Sequence, residues 1–330
     1  MEKTLVTGFR PTGKLHIGHL VGVVDELVRL QDNYKCFIEI ADYHAMTDRL
    51  DYSGFLDNTY EIVKDFLVSG IDPENSIVFI QSEVKEHSEL NTILSMTTPL
   101  SILERNPTVK ERVRNLEIKN ISYGFLGYPV LQAADILIYK GEKVPVGEDQ
   151  LPHLEVTRYI AKRFNGIFGY TFPEPEPVLS DYPNLPGIDG RKMSKSYNNY
   201  ILPTESKEEI KSKVIKMFTD PKRPFRSDVG HPEDCPVFYY HKVFNKNKED
   251  IERVKRCCKD ASLGCIEDKE YLAKLLYEYY IPYNEKRREC TTDFISDVLN
   301  EGVRNAREIT KRNIEEIKGK IGISRKRSAY

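Results

Sequence analysis

Short apolar runs alternate with longer stretches of helical periodicity through the first half of the chain. Lys3 to Phe9, Lys35 to Ala41 and Ser76 to Gln81, the last rich in Ile, Val and Phe, read as strands. Gly18 to Gln31 and Phe55 to Ser69 repeat apolar residues at three- and four-residue spacing, which predicts crossover helices between those strands. The alternation predicts an α/β fold built on a doubly wound parallel sheet. Val84 to Lys119 keeps helical periodicity without a strand and reads as a helical insertion, about 84–120, between two halves of the sheet. Gly124 to Tyr139 then continues as an apolar helix, Val144 to Val146 as a short buried strand and Glu148 to Asn165 as a long helix.

From Gly166 to Gly190 prolines and glycines crowd together, the mark of a boundary. Beyond it the pattern is helical: Ser206 to Phe218, Val237 to Asn245, Lys248 to Lys259, Lys269 to Tyr280 and a last run from Phe294 to Ile321. The expected domains are 1–189, 190–298, and 299–330 as a terminal helix with the basic tail Ser324-Arg325-Lys326-Arg327. At 330 residues and 40% hydrophobic the chain can bury a sizeable core. Its 49 Lys+Arg against 51 Asp+Glu give no global basic field for a nucleic acid, so any such contact must be a local patch. The N-terminus is too soon interrupted for a signal segment and no apolar run approaches transmembrane length, which points to no membrane and a cytoplasmic protein. There the six cysteines, five of them beyond residue 234, are expected as thiols or metal ligands rather than disulfides.

Two segments carry chemistry. The first strand runs into Gly8-Phe9-Arg10-Pro11-Thr12-Gly13-Lys14-Leu15-His16-Ile17-Gly18-His19, where a helix begins. A strand-to-helix turn of this kind exposes backbone N–H groups to phosphate, and two histidines three apart can add imidazole donors. In the Gly/Pro-rich connection stands Lys192-Met193-Ser194-Lys195-Ser196, whose two lysines can bring charge to the β- and γ-phosphates and move as a lid. Each alone has an ordinary reading as a helix start or a solvated basic loop. Together they resemble the HIGH and KMSKS signatures of class I aminoacyl-tRNA synthetases. That resemblance implies a Rossmann-like catalytic domain, a helical anticodon-binding-type domain at 190–298, and adenylate formation from ATP with Mg2+, catalysed by positioning and electrostatics.

Further segments resemble the tryptophanyl branch: Tyr128 to Leu137, Val146-Gly147-Glu148-Asp149-Gln150 with His153-Leu154-Glu155, Leu185-Pro186-Gly187 through Asn198, and Thr219-Asp220-Pro221 leading to Asp234-Cys235-Pro236-Val237. The resemblance implies that Asp135 accepts the indole N–H of L-tryptophan, beside Gln132, and that Tyr128 and Gln150 hold its α-amino group. It places Gly147 and Asp149 at the ribose, with Glu148 also at the ATP, Val178 against the adenine, and Arg10, Pro11 and Thr12 at the ATP entrance with Gly18. His16, His19, Lys192 and Lys195 would stabilise the phosphates, with Met193, Ser194 and Ser196 completing the loop. On physical grounds alone, Asp135 on an apolar helix needs a donor, which could equally be a neighbouring backbone or Arg group. Tyr128 could equally be a core aromatic, and Glu148 and Asp149 helix-capping carboxylates. The rival is tyrosyl-tRNA synthetase, which shares the fold, both signatures and a Gln-x-x-Asp element. There a first-strand tyrosine meets the substrate hydroxyl, where this chain has Val6. An apolar wall lacks half of what would select a hydroxyl, which favours tryptophan.

Cys235, Cys258 and Cys265 follow a spacing that a branch of bacterial tryptophanyl enzymes completes with a fourth cysteine to hold a [4Fe–4S] cluster; here the fourth position is Asp268. A cluster, a zinc site and small buried hydrophobes remain three readings of this set. The family implies a homodimer and the partner tRNA(Trp), with Arg105, Lys110, Arg112, Arg114 and Lys119 as candidate phosphate contacts, although Glu104, Glu111 and Glu117 alternate with them as on any solvated helix. A non-tRNA adenylyltransferase would need no long helical second half. A non-catalytic RNA-binding relative would be expected to show damaged signatures.

Overall fold

Valine, isoleucine and phenylalanine in the three predicted strands have only one way to bury both faces, and they take it. In the computed structural model, which describes residues 3–47, 51–115, 120–180, 182 and 184–324, five strands form one sheet: β1 (Thr4–Phe9), β2 (Lys35–Ile40), β3 (Ser76–Ile80), β4 (Lys143–Pro145) and β5 (Glu176–Val178). All pairs are parallel, in the order β3-β2-β1-β4-β5. The chain winds outward from β1 to β3 and returns to β4 on the other side. The carboxyl ends of β1 and β4 are therefore the topological switch point, where ligands of such sheets bind.

Strand and helix bounds agree with the sequence reading to within a few residues, with exceptions that have physical causes. β5 lies in the Pro-rich segment, too short to show a period, and Pro177 is tolerated because β5 is an edge. The helix Ile281–Glu289, unassigned in the sequence, starts with a proline in its first turn. The expected helix Gly18 to Gln31 is instead a short helix Ile17–His19, a π-helical turn Leu20–Val24 and a helix Asp25–Leu30. Glu148–Gln150 is a 3₁₀ turn that leads into the helix Leu151–Phe168.

The chain divides into two compact units. The described residues of Met1–Lys14, Asp25–Ser180 and Thr291–Tyr330 make one, and those of Leu15–Val24 and Asp181–Cys290 the other. In the first, the helices Glu86–Ser95, Leu100–Arg105 and Pro107–Asn115 fall between β3 and β4, where the insertion was expected. The terminal helix Thr292–Lys320 belongs to this sheet unit rather than standing apart with the tail. Gly302 lies directly on the backbone of β3, where a Cβ would sit 1.8 Å from the Val78 carbonyl oxygen, and Asn313 Nδ2 donates to Ile138 O at 2.7 Å. The second unit holds the helices Lys207–Ile215, Pro236–Phe244, Lys248–Lys259, Cys265–Tyr279 and Ile281–Glu289. It also takes in the His16 segment, because Ile17 N donates to Ile201 O at 3.0 Å. Among the described residues no helix is long and apolar enough to cross a membrane. The basic residues 325–327 and Lys119 lie outside the described residues.

Candidate active site

The second unit carries the two signature segments in contact. His16 caps the helix Ile17–His19: its Nδ1 accepts from His19 N at 3.3 Å, while His16 N donates to His19 Nδ1 at 3.4 Å. The rings stack 3.6 Å apart. With both Nδ1 atoms accepting from backbone, each neutral ring must carry its proton on Nε2. Burial, then the charges of Lys195 and Lys192, hold the His16 imidazole down at about 3. His16 is therefore a neutral donor at physiological pH. Glycine at position 18 suits the same tight packing. A Cβ there would lie 3.1 Å from His16 Nδ1 and 3.3 Å from the sulfur of Met193.

Met193 is thus the floor on which the histidine turn rests, and it is buried. The Lys192-to-Ser196 segment, expected as a mobile loop, is held by one buried side chain that sequence reading missed. Asn199 Oδ1 accepts from Ser194 N at 2.7 Å, and its Nδ2 donates to Asp189 Oδ1 at 2.7 Å and Lys192 O at 3.1 Å. Asn198 closes the 3₁₀ turn Lys195–Tyr197 with a left-handed backbone, φ 49°. Lys192 is exposed and Lys195 half-buried; the side chain of Ser196 lies outside the described set.

In the first unit, the residues expected at the nucleotide gather at the switch point. Thr12 N bonds to Arg10 O at 2.8 Å and Asn58 Nδ2 holds Pro11 O at 3.2 Å, so the loop after β1 is braced by the helix Phe55–Ser69. Arg10 is within electrostatic reach of Asp149 and Tyr128. Val178, at the end of β5, accepts from Val146 N at 3.1 Å, which sets it beside the strand end leading to Gly147, Glu148 and Asp149. Gln150 donates to Asp149 Oδ2 at 2.8 Å.

The expected amino-acid residues are more occupied than the sequence suggests. Asp135 is buried, and its Oδ2 accepts from His44 Nε2 at 2.8 Å and Gln81 Nε2 at 2.9 Å while Oδ1 accepts from His87 Nδ1 at 2.6 Å. Burial opposes its charge, but hydrogen bonds from His44 and His87 and their charge outweigh it and hold the carboxyl below its usual range. The donors that sequence reasoning left open are thus two histidines and a glutamine from elements far away in the chain. Tyr139 gives His87 its other partner, with its OH 2.8 Å from Nε2, and burial keeps that phenol protonated. The Tyr128 hydroxyl lies 3.0 Å from His153 Nε2. Arg112, expected among the solvated phosphate contacts, instead stacks 4.6 Å over the Tyr128 ring and bonds to Thr47 Oγ1 at 3.3 Å. Val6 is a buried wall whose Cγ2 would stand 2.9 Å from a Cβ at Gly141. Gln132, one turn before Ile136 on the same helix, is half-buried.

The family model described as tRNA synthetases class I (W and Y) matches residues 2–280. The chain belongs to that family. Tryptophan–tRNA ligase of Thermotoga maritima is 49% identical over 319 residues, covering 95% of this chain and 97% of that protein. The ligase of Aquifex aeolicus is 42% identical, over 95% and 98%. A solved tryptophanyl-tRNA synthetase of Campylobacter jejuni, complexed with ADP and tryptophan, superposes with a TM-score of 0.85 at 34% identity, covering 97% of this chain and 99% of that one. A tyrosyl-tRNA synthetase of Archaeoglobus fulgidus aligns at 21% identity with a TM-score of 0.69, which speaks to the fold alone. Within the W and Y family, this chain is a bacterial-type tryptophanyl-tRNA synthetase by sequence and fold.

Proposed function

We infer that the chain is a tryptophan–tRNA ligase, activating L-tryptophan with ATP and transferring it to tRNA(Trp) with release of AMP and pyrophosphate. The observation that carries the chemistry is the reciprocal His16–His19 cap seated on Met193, which engages both Nδ1 atoms with backbone N–H and leaves each Nε2 for other partners. A tryptophan carboxylate oxygen attacks the α-phosphorus, the bond to the β-phosphate oxygen breaks, and pyrophosphate leaves with Mg2+. Negative charge builds on the phosphate oxygens as this happens. Donors fixed before the reaction stabilise that charge without reorganising, the role assigned to His16, His19, Lys192 and Lys195. Arg10 to Thr12, Gly147 to Asp149 and Val178 would hold the nucleoside. Asp135 would take the ring N–H on the acceptor site its three donors leave, since a carboxylate offers about four, while Tyr128 and Gln150 receive the α-amino group.

Amino-acid-dependent ATP–pyrophosphate exchange tests this reading. Exchange with tryptophan supports it, exchange with tyrosine alone supports the rival, and none with either sinks both. The chain contains no tryptophan, so bound ligand is the single indole in the complex and its fluorescence reports binding directly. Lys195→Ala should lower exchange far more than it weakens tryptophan binding; equal losses would contradict a transition-state role.

A homodimer and charged contacts to tRNA from Arg105, Lys110 and Arg114 complete the reading. The cysteine set also fits an iron–sulfur group. Cys235, Cys258, Cys265 and Asp268 line one cavity with Asp220 and Arg223. Arg223 is buried with its Nε unpartnered, Nη1 lies 3.9 Å from Cys258 Sγ, and buried Lys269 adds a second positive charge nearby. Burial pushes the Cys258 thiol up to about 11, so the free thiol stays protonated at neutral pH. Asp268 is held by His241 Nε2 at 2.9 Å. The three thiols and Asp268 would hold a [4Fe–4S] cluster, which would supply a redox-active tie within this unit. Anaerobic purification with iron and acid-labile sulfide analysis decides it; a colourless, metal-free protein removes the cluster.

A further inference from the structure

Strand β2 carries a carboxylate in the middle of a buried sheet. Glu39 pairs in register with Gly8 of β1 and Phe79 of β3 and is 2% exposed. Its side chain lies over Gly8, where a Cβ would meet Glu39 Oε1 at 3.5 Å. On the same face as Phe37, it reaches the residues that hold Asp135. Ligand-type atoms of Glu39, His87 and Asp135 all lie within 4.8 Å of one another. Oε2 of Glu39 is 3.3 Å from His87 Nδ1, buried, and makes no hydrogen bond.

The groups around it come from every packed element. Asp42 and His44 come from the helix Asp42–Ala45, and Glu86 and His87 from the helix Glu86–Ser95. Asp135 comes from the helix Tyr123–Leu137, with Tyr139 just beyond. His44, Gln81 and His87 all spend their N–H on Asp135. Two carboxylates this close and out of water do not both ionise; the one with donors keeps its charge and the one without keeps its proton. Burial, then the charges of Asp135 and Asp42 and a side-chain hydrogen bond with Asp135, push the Glu39 carboxyl well above its usual range. An ionised Glu39 would compete for the single Nδ1–H of His87, whose other nitrogen is already engaged by the Tyr139 phenol. A neutral acid does not.

We propose that Glu39 remains a neutral carboxylic acid in the working enzyme and acts as a positioning residue. Its proton leaves the His87 N–H on Asp135, so that His87 rather than a competing carboxylate fixes how Asp135 faces the ring N–H of the aromatic amino acid. This rests on the reading of Asp135 given above. Infrared difference spectra of the full-length enzyme against Glu39→Gln at neutral pH should show the carbonyl stretch of a protonated carboxylic acid in the wild type alone. In ATP–pyrophosphate exchange, the KM for tryptophan of the wild type should rise about tenfold toward alkaline pH with kcat little changed. Glu39→Ala and the neutral isostere Glu39→Gln both lack an ionisable carboxyl at this position, so each should bind tryptophan close to the wild type at neutral pH and abolish the alkaline rise. Absence of the acid band, or a Glu39→Gln profile that coincides with the wild type, overturns the proposal. Asp135→Asn separates the two ideas: if it binds tryptophan as tightly as the wild type, the reading of Asp135 falls and takes the proposal with it. If Asp135→Asn is impaired while the profiles coincide, the failure belongs to Glu39 alone.

Discussion

Asn199→Ala puts the order of the lysine loop to a quantitative test. The side chain is 1% exposed and makes three hydrogen bonds, to Ser194 N, Asp189 Oδ1 and Lys192 O, so it joins both ends of the segment that carries Lys192 and Lys195. Truncation removes all three and leaves the Asp189 carboxylate with one donor fewer. At about 1 kcal/mol each, slightly more for the bond to a charge, the loop loses about 3 kcal/mol of ordering free energy. That corresponds to a fall of about two orders of magnitude in the ordered population. If only the ordered loop stabilises the departing pyrophosphate, kcat for ATP–pyrophosphate exchange should drop about a hundredfold. Because the bonds are local, the global unfolding midpoint should move little. Asn199→Asp should do no better, since it presents a carboxylate to Asp189. Exchange within threefold of the wild type in Asn199→Ala would refute the idea that this side chain organises the loop.

Gly302→Ala should cost about 3 kcal/mol or undock the terminal helix from β3, because the added Cβ falls 1.8 Å from the backbone oxygen of Val78; urea unfolding and limited proteolysis at that helix read it out. His87→Phe fills the space but strips Asp135 and the Tyr139 hydroxyl of a partner, and should destabilise by about 2–4 kcal/mol in the same unfolding assay. Stability should also fall with acid through His153, which burial, then Arg112 and His44, hold down at about 4 against an ordinary 6.5. The unfolded chain takes up that proton first, so the contribution is intact above about pH 6.5 and is lost as pH falls through about 4. It amounts to roughly 3 kcal/mol, and the pH dependence of urea unfolding in His153→Gln should be shallower by that amount.

Four of the five strands, most of the helices and the two signature segments are legible in the sequence, because each rests on local pattern; β5 and the break in the first crossover helix are not. Strand runs such as Ser76–Ile80 and helices such as Phe55–Ser69 and Lys248–Lys259 are written in the spacing of their apolar residues. The chemistry of His16, Gly18 and Lys192 to Ser196 is written in their neighbours. What the tertiary structure alone decided is partnership. Asp135 reads in the sequence as a carboxylate waiting for a donor, and finds three, from residues 44, 81 and 87. Glu39 sits in a run that is otherwise apolar but for its first residue, Lys35, and only the fold sets it beside Asp135 and His87. Arg112 belongs by periodicity to a solvated face, yet covers Tyr128. Asn199 looks like loop filler, yet ties the loop together. A helix or strand is selected by forces between near neighbours in the chain. The state of a buried polar group is set by whichever distant groups the fold brings within 3 Å or so, and no periodicity records them.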